Sequence, residues 1–143
     1  MDALMTVLTV PRLGVERSDK QYRLRSLATS GAPLALGSDW PVSSGAPLDG
    51  IAVAASRRTA TGDPDGGWTP HEILPIEETL SAYTAGVAYQ GFAEGNWGTI
   101  VTGASADLVW LDRDPRQTPA LELPAVTVRA TYLRGQPAYA ASV

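Results

Sequence analysis

Apolar and polar positions follow two different periods along this chain, and the change falls near residue 95. Leu4, Val7, Leu8 and Val10 form an apolar run stopped by Pro11, short enough to be either a strand or a short helix. From Val15 to Ser30, the charged Glu16, Arg17, Asp19, Lys20, Arg23 and Arg25 alternate with Tyr22, Leu24 and Leu27. That pattern predicts a surface helix with a narrow apolar stripe, with Gly31 as its C-cap. Pro33-Leu34-Ala35-Leu36 then predicts a buried strand, so helix, glycine turn and strand read as the second half of a βαβ unit. Leu48 to Arg58 predicts a helix packing closely through small residues. Thr59 to Trp68 predicts a flexible surface loop. Thr69-Pro70-His71-Glu72 matches a capping box, and Pro75 opens a helix whose apolar positions are Ile76, Leu80 and Tyr83. Thr84 caps a third short helix, with Val87, Ala88 and Phe92 as its buried face and Gly95 near its end.

After Trp97 the period shortens. Thr99-Ile100-Val101 and Ala106 to Leu111 predict strands, and Asp112-Arg113-Asp114-Pro115 a turn. Val126, Val128, Ala130 and Tyr132 alternate with Thr127, Arg129, Thr131 and Leu133, which predicts a half-buried strand. Arg134-Gly135-Gln136 turns that strand into a last one over Pro137 to Ala140. The organisation expected is therefore α/β over residues 1–95 and β-rich over 96–143.

Composition narrows the class. The chain has 143 residues, 44% hydrophobic and 18% charged, enough for a core and too apolar for disorder. A net charge of −4 gives no electrostatic footprint for nucleic acid or an anionic membrane. The absence of Cys removes disulfides, thiolate zinc sites and cysteine nucleophiles, and one His excludes a poly-histidine metal site built from this chain alone. Residues 1–10 have no basic n-region and are too short to span a bilayer, so a soluble, cytoplasmic protein is expected.

The chemistry centres on Gly37-Ser38-Asp39-Trp40-Pro41-Val42. Asp39 stands where a buried strand emerges into a loop, an edge at which α/β folds bind ligands. The local alternative is an aspartate bonding its own backbone in a turn before proline. His71 reads as an exposed first-turn residue. Glu77 and Glu78 do not converge as an acid/base pair, because adjacent helical residues point about 100° apart. Asp107, Asp112 and Asp114 lack the glycine and spaced oxygens of a calcium loop, so turn chemistry is the expectation. Trp40, Trp68 and the 59–68 loop read equally as pocket lining, packing or surface.

Several segments in one order extend the picture. They include Arg12-Leu13-Gly14-Val15-Glu16-Arg17, Tyr22-Arg23-Leu24-Arg25-Ser26-Leu27, Gly31 to Val42, and Ser56-Arg57-Arg58-Thr59. Glu78 to Thr84, Gly98-Thr99-Ile100 and Ala106 to Pro115 continue them. Over residues 12–140 the chain resembles the C-terminal part of the metal-dependent amidohydrolases, specifically the amidohydrolase family 3 group. The resemblance implies the C-terminal fragment of a (β/α)8 metal-dependent hydrolase barrel (last strand and following helices, 1–95) plus strands of a small β-sandwich (96–143). It makes residues 34–39 the eighth barrel strand and Asp39 both the catalytic and the metal-facing residue. A divalent metal, zinc for preference, would lower the pKa of its water, and that aspartate would orient the water and take its proton.

The departures carry equal weight. Family sites need a His-x-His pair and further histidines, which this chain lacks, and a barrel needs about 250 residues. Residues 1–10 match no family motif. One aspartate cannot hold a catalytic metal ion, so no metal is expected on this chain alone. The resemblance implies a hydrolase of carbon–nitrogen bonds other than peptide bonds, acting on a small-molecule amide. It is expected to be inactive until a complementary chain brings the missing barrel strands. The alternatives are a non-catalytic interaction module, or a truncated reading frame without selected function.

Overall fold

The computed structural model describes residues 8–141. Leu4 and Val7 of the first apolar run lie outside them. The end of that run is helical, forming α1 (Val10–Leu13) with Pro11 in its first turn. Gly14, at φ 76°, separates it from α2 (Val15–Ser18). The helix expected over 15–30 is divided: α2 stops at Ser18, Tyr22 takes φ 50°, and α3 spans Leu24–Thr29. A stripe this narrow gives a continuous helix little to bury, and short helices are marginal without packing. The left-handed Tyr22 instead brings its ring edge-on to Trp68, with centroids 6.2 Å apart. Gly31 ends α3 as expected: its N–H donates to Ala28 and that of Ala32 to Leu27, a Schellman pair.

The strand expected at 33–36 is corrected. Residues 32–38 belong to no ladder, and Leu34, Ala35 and Leu36 are only half-buried. Their one inter-segment backbone bond runs from Leu36 N–H to the carbonyl of Ala82, 3.1 Å. A buried parallel strand needs neighbours on both sides, and the described residues supply none. What holds this segment is close packing: a Cβ on Gly86 would collide with the carbonyl oxygen of Leu34.

The helix expected from Leu48 is α4 (Pro47–Ser56), with proline in its first turn and Ile51, Ala52 and Ala54 buried. It ends at Arg57, which is left-handed at φ 59°. A 3₁₀ turn over Pro70–Glu72 replaces the expected capped helix start. Thr69 stands at φ 49°, whereas an N-cap needs an extended backbone, so no capping bond forms. Two helices follow, α5 (Ile76–Tyr83) and α6 (Ala85–Gln90). Thr84 lies between them, and its hydroxyl reaches back to the carbonyl of Leu80 instead of capping α6. Ala88 is buried, but Phe92 is 92% exposed, which overturns its place in a buried face.

The last third forms one antiparallel sheet, β1 (Leu108–Leu111), β2 (Val128–Leu133) and β3 (Gln136–Ala140), in that spatial order. Arg134 and Gly135 both take positive φ between the paired Leu133 and Gln136, the backbone of a two-residue hairpin turn. No strand forms at Thr99-Ile100-Val101, where Ile100 is 89% exposed. A short apolar triplet without a partner gains nothing from extension. The main core gathers Ile51 and Ala52 of α4 with Leu123 and Val126 of the β1–β2 connection, and Leu48, Ile76, Leu80 and Leu111 pack around them. Helical and β-rich parts thus share one core.

Candidate functional site

Asp39 is exposed and left-handed, at φ 52°, directly after the segment that belongs to no ladder. Its carbonyl accepts from Val42 N–H at 2.9 Å, and Ser38 Oγ accepts from Trp40 N–H at 3.2 Å. The chain does turn here before Pro41, but the side chain that bonds the local backbone is Ser38's and not that of Asp39, which is exposed. Its side chain makes no hydrogen bond or ion pair with a described residue. His71 is elsewhere, half-exposed, with Nε2 at 3.8 Å from Asp19 Oδ2. Among the described residues, no group of three or more His, Cys, Asp or Glu side chains could hold a metal ion. Among the described residues Asp39 is therefore a single carboxylate donor, fewer than the three or more protein ligands that a catalytic divalent metal takes.

Of the other aspartates, Asp114 is the turn residue expected, whereas Asp107 and Asp112 accept from backbone 27 and 15 residues away. Asp107 accepts from Arg134 N–H at 2.7 Å and Asp112 from Thr127 N–H at 3.0 Å. Asp114 caps the 3₁₀ turn over Pro115–Gln117 through Arg116 N–H. Bonds from Arg113 and from Arg116 hold the Asp112 and Asp114 carboxyls below their ordinary pKa values. Glu77 and Glu78 are exposed and separate, Glu78 pairing with Arg25 at 2.9 Å.

A concave feature lies beside Asp39 and does not contain it. A cavity of about 350 Å³ opens between Gly37-Ser38 and the inner side of α4, with Leu36, Val53, Arg57 and Tyr83 in its wall. Beneath it is a buried polar block that no local pattern revealed. Arg57 is 1% exposed, contrary to the solvated face that two consecutive arginines suggest. Its Nε donates to the Trp68 carbonyl at 3.1 Å, its Nη2 donates to Thr69 Oγ1, and its guanidinium lies 5.0 Å from the Trp68 ring centroid. Trp68 is thus a packing residue, while Trp40 is 72% exposed.

Glu72 is equally buried and crosses the fold to α3. It accepts from Ser26 N–H at 2.8 Å and from the Ser26 hydroxyl, with Arg23 Nε 3.9 Å away. Burial alone would raise its pKa, but the two Ser26 bonds, with the charges of His71 and Arg23, outweigh it and leave the carboxyl below its ordinary value. Desolvation lowers the Arg57 pKa, opposed by the nearby Glu72 charge. The partnership spans 46 residues, which explains why a capping-box reading of Glu72 missed it.

Known proteins place the chain in a family. The amidohydrolase family profile matches residues 1–139, so the opening residues that carry no recognisable motif fall within the match. The chain is 35% identical over 129 residues to Protein LONG AFTER FAR-RED 3 of Arabidopsis thaliana, covering 90% of this chain and 22% of that protein. It is 30% identical over 130 residues to the putative amidohydrolase YtcJ of Bacillus subtilis, covering 91% and 25%. With the N-substituted formamide deformylase of Arthrobacter pascens it shares 32% identity over 116 residues, covering 81% and 21%. No solved structure matches. The chain spans a quarter or less of the length of these relatives. No helix among the described residues is long and apolar enough to cross a membrane. Profile and relatives agree with the ordered segments from Arg12 to Pro115: this chain belongs to the amidohydrolase family.

Proposed function

We propose that this chain is the Asp39-bearing C-terminal segment of an amidohydrolase that acts on carbon–nitrogen bonds other than peptide bonds. In this reading, residues 1–95 are the end of a barrel and residues 96–143 are strands of a small β-sandwich. Hydrolysis of a small-molecule amide then requires a complementary chain that supplies the remaining barrel strands and the histidine ligands. The observation behind it is a single one. Asp39 ends a segment that belongs to no ladder, and no metal-binding cluster stands around it among the described residues.

The test is a complementation assay. The purified chain, with zinc or manganese added, is expected to give no amide or formamide hydrolysis. Mixed with a family chain that ends before the strand bearing the aspartate, it is expected to restore turnover, and Asp39→Asn to abolish what is restored. Substantial turnover by the pure chain, or restored turnover that survives Asp39→Asn, overturns the reading.

A second reading has its own support. Val109 and Trp110 of β1, Leu133 of β2 and Tyr139 of β3 are more than half exposed, which suits a non-catalytic module that binds a partner through its sheet. A stable monomer by size measurement that captures no partner would end that reading.

A further inference from the structure

The cavity above Arg57 has features that do not depend on Asp39 or on any metal. Arg57 is 1% exposed, yet it makes no ion pair with a described carboxylate. Glu72, the nearest in electrostatic terms, commits its oxygens to Ser26 and Arg23. A guanidinium taken out of water without a bonded anion is unfavourable, and the Trp68 ring and two neutral acceptors offset that only in part. Nε and Nη2 are bonded, while Nη1 makes no hydrogen bond to a described residue.

A second donor meets the same space. Tyr83 lines the cavity, and its hydroxyl makes no hydrogen bond to a described residue. Burial pushes its pKa up, so the phenol stays protonated and can donate. It fits against α4 only because residue 50 is glycine, where a Cβ would collide with the phenol oxygen. The rest of the wall supplies apolar surface from Leu24, Leu36 and Val53. Asp49 also lines the cavity, a like charge that an anionic occupant overcomes only through Arg57 and that restricts it to a single carboxylate.

We propose that this cavity binds a small monocarboxylate, its acid group against Arg57 and the Tyr83 hydroxyl and its hydrocarbon body against Leu24, Leu36 and Val53. Cavities of this size take small molecules, and a planar guanidinium is the side chain best matched to a carboxylate.

Titration calorimetry of the full 143-residue chain with hexanoate and with hexanamide tests it. Hexanoate is expected to bind saturably and at least about tenfold more tightly than hexanamide, the scale of one charge-assisted bond in a desolvated site. Arg57→Lys is expected to remove that preference. Because Arg57 also holds the loop, a second variant keeps the reading independent of folding. Ala60 lies in the cavity wall and is exposed, so Ala60→Glu adds a like charge without disturbing the core. It is expected to weaken hexanoate about tenfold and leave hexanamide unchanged. Equal affinity for acid and amide, absence of hexanoate binding, or indifference to Ala60→Glu overturns the proposal.

Discussion

The loop-covered region around Arg57 and Glu72 and the three-stranded sheet bury opposite kinds of side chain. The first takes Arg57, Glu72 and Thr69 out of solvent, ties Arg57 to Trp68 and Thr69, and bonds Glu72 across the fold to Ser26. The second leaves Val109, Trp110, Leu133 and Tyr139 more than half exposed, with β3 exposed along its whole length. Polar groups can be sealed inside only when their partners are already in place. Apolar side chains on a sheet, by contrast, can wait for whatever covers them, and here they lie on both faces, since Val109 and Trp110 are neighbours in β1. The difference teaches where this chain is complete in itself: Glu72 finds its partners within the fold, Arg57 keeps Nη1 open towards the cavity, and the sheet is a surface.

Glu72→Ala attacks the polar side and carries the largest expected effect. It leaves the Ser26 amide and hydroxyl without their acceptor and Arg57 without its nearest negative charge. A loss of about 3 kcal/mol in denaturant unfolding is expected. Acid reaches the same group. Because the folded pKa of Glu72 is depressed, its contribution is complete above the ordinary glutamate value of about 4.3 and is lost as pH falls through the lower folded value. Stability of the parent chain therefore declines on acidification through that window, and Glu72→Gln flattens the decline. An unfolding curve from pH 6 to 3 that is the same for both chains would break the contrast.

Gly86→Ala comes next. The Cβ meets backbone, the carbonyl oxygen of Leu34, which cannot swing away as a side chain would. About 2 kcal/mol of destabilisation is expected, with the segment leading to Asp39 displaced from α5 and α6. Val109→Thr on the sheet carries the smallest effect, within about 0.5 kcal/mol in the isolated chain, since Val109 already faces solvent. If the sheet substitution instead cost as much as Glu72→Ala, the sheet would be buried in solution.

What the sequence made legible follows from range. The Schellman end of α3 at Gly31, the small-residue helix α4, the split between Glu77 and Glu78, and the Arg134-Gly135 turn are set by residues a few positions apart. The alternating strands β1 to β3 were visible for the same reason. Asp39 was singled out by its place after an apolar run, and the family membership gives that choice its context. The buried pairings were not legible. Glu72 looks like the end of a capping box until Thr69 proves left-handed, and Arg57 looks like half of a surface pair until Trp68 lies over it. The expected strands at 33–36 and 99–101 failed for another reason: extension needs partners, which periodicity does not count.

The single backbone bond from Leu36 to Ala82 has a consequence for how the chain can be observed. Peptide N–H groups that lack a partner exchange their hydrogen with solvent quickly, whereas those in a completed ladder exchange slowly. Ala35, Gly37 and Ser38 donate no backbone bond to a described residue, while Leu36 between them does. The segment leading to Asp39 is therefore its own isotopic gauge: deuterium uptake there reads directly whether anything has taken the place beside it.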